Sequence, residues 1–113
     1  ANILECEITK LKAGLASVDV GKVSLTLPSR GLAIGKALLG VRPNRLLITK
    51  KGVKNSLPGK ISRLTYVGNH LEYTLKTDHG ELFVISTDVD TNLKVGASVG
   101  IAFAQKGPVL LPH

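Results

Sequence analysis

The segment at residues 31–37 has the outline of a phosphate-binding loop, because it reads Gly-Leu-Ala-Ile-Gly-Lys-Ala. Such a loop needs four residues between its glycines, so that backbone N–H groups can surround the phosphates. It also needs a Ser or Thr after the lysine to hold magnesium. Here three residues separate Gly31 from Gly35, and Ala37 follows Lys36. We therefore interpret the segment as a structural crossover and not as a nucleotide site.

Other residue types that could support catalysis or metal binding are scattered. His70, His79 and His113 have no cysteine or second histidine at ligand spacing. Asp88 and Asp90 lack the further acidic ligands and the glycine of a calcium loop, which favours turn-forming roles. A catalytic set assembled by the fold stays open, but no nucleophile elbow or comparable motif favours one. The sequence predicts no catalytic, metal-binding or cofactor-binding residue in this chain.

The charge is uneven along the chain, whose formal net charge is +7. No acidic residue occurs between Asp19 and Glu72. The basic residues in that interval are Lys22, Arg30, Lys36, Arg42, Arg45, Lys50, Lys51, Lys54, Lys60 and Arg63. We favour a solvated face that either keeps the chain soluble or meets an acidic surface of a parent protein. The alternative is an anion site for a phosphate, an oxyanion or nucleic acid.

Length and composition limit the fold class. A chain of 113 residues supports one domain, or one domain built of two small halves. Its 43% hydrophobic content, twelve glycines and lack of a long apolar run describe a soluble, turn-rich chain. The single cysteine, Cys6, excludes an internal disulfide and fits a reducing compartment. The chain starts without a methionine or a leader, so we expect it to begin within a larger protein.

The first half of the chain contains short β-type runs separated by glycine and proline. Residues 2–11 alternate between apolar and polar side chains until Leu11, which lies three residues after Ile8 and predicts a bulge. Glycine turns then lead into a predicted hairpin. A strand at residues 37–41 ends at the Pro43 corner, because proline cannot donate a ladder hydrogen bond.

The second half repeats the pattern of the first. Residues 60–64 follow the order of residues 7–11, with Ile61 standing 53 positions after Ile8. Later matches stand 59 and 61 positions apart, as expected if the second copy has longer loops. No helical period persists for three turns. We therefore predict an all-β barrel or sandwich of two related β units, residues 1–50 and 57–113, joined by a linker loop at residues 51–56.

The Pro43 corner also carries a family resemblance. Gly-Val-Arg-Pro-Asn at residues 40–44 resembles the Gly-[Ile/Val]-Arg-Pro-[Glu/Asp] signature of a domain in ATP-binding subunits of binding-protein-dependent ABC importers, of the maltose and polyamine type. This is their C-terminal regulatory domain, the transport-associated OB (TOBE) domain. Residues 66–69 and 93–99 also resemble its second half, so the likeness covers nearly the whole chain. Asn44 replaces the usual acid, so contacts made through that carboxylate are not expected here.

The resemblance implies OB-like small barrels, and a regulatory and dimerisation domain that is not an enzyme by itself. ATP and magnesium would bind a preceding ATPase domain, with no cofactor in this fragment. The implied partners are that domain in the same chain, a second copy of the subunit and the transmembrane permease subunits. The implied location is the cytoplasmic face of the cell membrane. Arg42, Pro43 and Asn44 are candidate interface residues, although a packed corner is the favoured role.

Two alternatives accompany this interpretation. Residues 55–60 resemble the Asn-x-x-x-Gly-Lys opening of related molybdate and sulfate domains, so Asn55, Gly59 and Lys60 are candidate anion contacts. A basic OB barrel could also bind single-stranded nucleic acid, which requires exposed aromatic rings. The chain has few, and at least one of Tyr73 and Phe83 is expected in the core, so nucleic acid is the least favoured partner.

Overall fold

The computed structural model describes all 113 residues, and it contains ten β-strands, one three-residue 3₁₀ turn and the loops that connect them. The strands are β1 (Asn2–Lys12), β2 (Leu15–Val20), β3 (Val23–Pro28), β4 (Gly35–Val41), β5 (Leu46–Thr49), β6 (Leu57–Val67), β7 (His70–Thr77), β8 (Gly80–Ser86), β9 (Ser98–Phe103) and β10 (Val109–Pro112). The 3₁₀ turn is Pro43–Arg45, at the predicted corner. None of the helical structure has the length and apolar character needed to cross a bilayer.

The strands form two antiparallel sheets of five strands each, so the prediction of an all-β, OB-like fold is confirmed. One sheet has the order β10-β4-β1-β2-β3, and the other has the order β5-β9-β6-β7-β8. Strands β1 to β4 correspond in order to β6 to β9. The chain therefore consists of two related β units, as its repeated pattern predicts.

Each unit lends one strand to the other sheet. Strand β5 follows β4 in the sequence but pairs with β9, and β10 follows β9 but pairs with β4. The division between the sheets therefore does not coincide with the linker at residues 51–56, since β5 precedes that linker and joins the second sheet. This exchange ties the two units together through backbone hydrogen bonds.

The repeated bulge is visible in both units. The register of β1 against β2 shifts between Ile8 and Lys10, and that of β6 against β7 shifts between Ile61 and Arg63, which lie 53 positions later. The bulge at the end of the β1 alternation was predicted from the displaced Leu11. A bulge increases local twist, which allows a long strand to curve around a barrel.

A single cluster of 22 buried apolar side chains contains residues of both sheets. In β1 it includes Leu4, Cys6 and Ile8, the face that the alternation predicts to be buried. Burial raises the pKa of the Cys6 thiol above its ordinary value, so the thiol stays protonated at neutral pH. Cys6 is therefore a packing residue, because the thiolate is the nucleophilic form.

Candidate functional site

Two asparagine side chains bind the exposed edges of the sheets. Asn2, at the start of β1, accepts a hydrogen bond from the Phe83 backbone N–H at 2.7 Å and donates one to the Phe83 carbonyl at 2.8 Å. Asn55, which precedes β6, forms the same pair of bonds with the Ser24 backbone, at 2.8 and 3.2 Å. Each amide takes the place of a neighbouring strand, because it offers one donor and one acceptor to the edge.

These two contacts follow the internal repeat. Asn55 lies 53 positions after Asn2, and Phe83 lies 59 positions after Ser24, which are the spacings that the repeated sequence displays. The asparagine at or just before the first strand of each unit therefore binds the edge strand of the other unit. Sequence reasoning missed the role of Asn2, although its repeat at Asn55 was available as a signal.

Two of the three candidate anion contacts, Gly59 and Lys60, line one cleft. Lys51, Lys60 and Lys76 line this basic cleft, which has a volume of about 360 Å³ and passes beside Gly59. A side chain at Gly59 would also be crowded, since a Cβ built there would lie 2.8 Å from Cδ1 of Ile101. The structure places Gly59 and Lys60 together in the cleft, whereas the Asn55 amide is bonded to the β3 backbone and is not part of the lining. Anion binding stays a prediction.

A second cleft occupies the corresponding place in the first unit and has the opposite sign. Glu5, Glu7 and Asp19 line this acidic cleft of about 290 Å³. Its rim also carries Lys36 and two imidazoles, His79 and His113. His113 Nε2 lies 3.6 Å from Glu5 Oε1. Within the whole structure, no group of three or more His, Cys, Asp or Glu residues is placed to hold a metal ion.

Each cleft contains a like-charged pair on neighbouring strands. Glu7 of β1 is the register partner of Asp19 on β2, and Lys60 of β6 is the register partner of Lys76 on β7. All four residues are exposed. Both ion pairs of the chain use a histidine, so no lysine or arginine neutralises a carboxylate within 4.0 Å.

A third cleft, of about 490 Å³, lies where the β8–β9 loop passes over β5 and includes Tyr73, Asp88 and Thr91. Burial raises the pKa of the Tyr73 hydroxyl, the Asp88 carboxylate adds to the rise, and a hydrogen bond with Thr91 opposes it. Tyr73 is only 3% exposed, whereas Phe83 is 47% exposed. The expectation that at least one of these two rings fills the core is therefore confirmed.

The candidate interface at the corner has a buried and an exposed side. Pro43 is half-buried and begins the 3₁₀ turn, which packs against β8. The Arg45 N–H donates to the Arg42 carbonyl at 2.9 Å, which closes the turn. Arg42 and Asn44 are exposed. A packed corner accounts for Pro43, and contact of Arg42 and Asn44 with a partner stays a prediction.

Comparison with known proteins gives a family and several relatives. The family model described as "TOBE domain" matches residues 39–111. The chain is 34% identical over 111 residues to "Fe(3+) ions import ATP-binding protein FbpC" of Rhizobium etli, covering 98% of this chain and 31% of that protein. It is 28% identical over 109 residues to "Spermidine/putrescine import ATP-binding protein PotA" of Pseudomonas fluorescens, covering 90% and 29%. The chain thus spans about a third of the length of these relatives.

A solved structure shares the fold. The cytoplasmic molybdate-binding protein ModG, crystallised with molybdate bound, superimposes with a TM-score of 0.79 at 21% sequence identity. The match covers 99% of this chain and 96% of that chain. At this identity the likeness concerns the fold, including the arrangement of two β units.

Proposed function

Because this chain belongs to the TOBE domain family, we propose that it is the accessory β domain of the ATP-binding subunit of a binding-protein-dependent ABC importer. The observation that carries this proposal is the 34% identity over 98% of the chain to one part of an iron-import ATP-binding protein. In this proposal the domain performs no hydrolysis, and the rest of the subunit binds ATP and magnesium.

The accessory role would consist of protein contacts on the cytoplasmic face of the membrane. The partners would be the ATPase part of the same chain, a second copy of the subunit and the transmembrane permease subunits. A domain that holds two ATPase units together must keep its shape while they move. Strand exchange and the two asparagine contacts support this role, because they join the units by backbone and side-chain hydrogen bonds.

Deletion in the intact transporter tests the proposal. The full-length subunit and a form lacking these 113 residues would each be reconstituted with the permease subunits, and ATP turnover and subunit dimerisation would be measured. We expect the deletion to alter at least one of them. Unchanged turnover together with unchanged dimerisation would contradict the accessory role.

A second candidate is an oxyanion-binding module, because the basic cleft brings Lys51, Lys60 and Lys76 together beside Gly59. Lysine ammonium groups and backbone N–H groups suit a tetrahedral dianion. Calorimetric titration with molybdate, tungstate, sulfate and phosphate tests this function. Heat that disappears in Lys60→Gln but persists in the surface control Lys106→Gln would support it. An absence of heat at millimolar anion would reject it.

A further inference from the structure

The acidic and basic clefts are equivalent places in the two β units. Glu7 corresponds to Lys60 by the spacing of 53 positions that relates β1 to β6. Asp19 corresponds to Lys76, because Asp19 on β2 is the register partner of Glu7, and Lys76 on β7 is the register partner of Lys60. The repeat has therefore kept the geometry of the site and reversed its charge.

Both clefts border the turn between β7 and β8. Thr77 and Asp78 line the basic cleft, and His79 lines the acidic cleft. This turn is held against the equivalent turn of the first unit, because a Cβ on Gly21 would lie 2.8 Å from Nε2 of His79. The two clefts thus border the same pair of neighbouring turns, and we name the clefts and these turns together the two-signed face.

Each cleft of this face keeps a net charge, because three carboxylates and one lysine line the acidic cleft, and three lysines and one carboxylate line the basic cleft. Like charges directly opposite each other on adjacent strands destabilise a sheet. The Glu7–Asp19 and Lys60–Lys76 pairs both have this arrangement. Lys36 stands opposite Glu7 on β4, yet it forms no ion pair within 4.0 Å. Glu81 of β8 likewise stands opposite Lys76 without an ion pair within 4.0 Å, so each like-charged pair has one opposite charge beside it but is not neutralised by it.

A two-fold axis lying in the face, perpendicular to the line between the clefts, brings opposite signs together. In such an isologous contact, the same patch of both copies is used and each contact occurs twice. The acidic cleft of one copy then faces the basic cleft of its partner at both ends. A two-fold axis that lies in the face but runs along the line between the clefts would instead place like charges opposite each other. Electrostatics therefore selects the first arrangement.

We propose that two copies of this chain associate through the two-signed face, with Glu7 and Asp19 of each copy against Lys60 and Lys76 of the other. This inference rests on the proposed function, in which a second subunit is a partner, and it adds the surface and its charge pairing. Charge complementarity favours a second copy over another partner, because the face carries both signs in matching positions and is complementary to itself.

Charge reversal followed by mixing tests the surface. One variant, Glu7→Lys with Asp19→Lys, reverses the charge of the acidic pair, and the other, Lys60→Glu with Lys76→Glu, reverses the charge of the basic pair. Sedimentation equilibrium of the 113-residue chain in about 50 mM salt would measure association, where surface charges are weakly screened. We expect each variant to dissociate with a constant at least about tenfold larger than that of the wild type. An equimolar mixture should restore association.

Matched variants control for the change in net charge. Lys10→Glu with Lys12→Glu and Asp88→Lys with Asp90→Lys make the same charge changes at residues that line neither cleft, and should associate like the wild type. Circular dichroism checks folding, and the milder pair Glu7→Gln with Asp19→Asn repeats the test if a reversal unfolds the chain.

Three results would overturn the inference: a wild-type chain that is monomeric at about 100 μM in low salt, reversed variants that associate normally, or a mixture that fails to associate. Any of these results would reject this surface as the contact between two copies and would leave the accessory role unaffected. The deletion experiment on the intact transporter tests the accessory role without reference to it.

Discussion

The side-chain amide of Asn2 is hydrogen-bonded to both backbone polar groups of Phe83, at 2.7 and 2.8 Å. The two residues lie 81 positions apart and on different sheets. Asn2 is 3% exposed, so its amide could not exchange these bonds for water without opening the structure. The contact therefore links the edge of the second sheet to the first strand of the chain.

Replacing Asn2 should destabilise the fold substantially. Asn2→Ala removes both partners of the Phe83 backbone, and we expect a loss of about 2 kcal/mol in the free energy of unfolding. Urea denaturation followed by circular dichroism measures this loss. Asn92→Ala, at an exposed loop position with no side-chain hydrogen bond in the structure, is the matched control and should change stability little. Equal stability of the two variants would show that the Asn2 contact contributes nothing.

Asn55 should tolerate glycine better than alanine. Its φ of 61° lies in the left-handed region, where alanine is strained and glycine is not. Both substitutions lose the exposed bonds to Ser24, so we expect Asn55→Ala to cost about 1 kcal/mol more than Asn55→Gly. Thermal unfolding of both variants measures the difference. Greater stability of the alanine variant would contradict the assigned backbone conformation.

The sequence predicted the strand content and the repeat because both depend on local patterns. Alternation placed Ile8 in the core, and the displaced Leu11 located a bulge, since side-chain orientation in a strand follows from the period of two. The exchange of β5 and β10 was not predicted, because pairing between strands distant in sequence is a property of the packed units. The juxtaposition of Glu7 with Asp19 was missed for the same reason, since it depends on the register of a hairpin.

Gly59 should resist substitution even if no anion binds near it. Gly59→Ala would bring a methyl group to within 2.8 Å of Cδ1 of Ile101, and overpacking of this kind costs about 1–3 kcal/mol. Ile101→Val removes that Cδ1 atom, so the double variant should be more stable than the sum of the two single effects predicts. Urea denaturation of the four proteins in this cycle gives the coupling. Strict additivity would show that the two groups do not meet.

The stability of the fold should decrease at alkaline pH through Cys6. Burial raises the pKa of this thiol in the folded protein above its ordinary value of 9.0, so above that pH the unfolded chain releases a proton that the folded chain retains. The stabilising contribution is complete below pH 9.0 and is lost as the pH rises, by at most about 1.4 kcal/mol per pH unit. Urea denaturation between about pH 8 and pH 10 measures the slope.

Cys6→Ala should flatten the dependence of stability on pH over this interval. The pKa of the Tyr73 hydroxyl is also raised, from 10.0, so a decrease at higher pH should persist in the variant. An identical slope in both proteins would show that the Cys6 thiol ionises equally in the folded and unfolded chains.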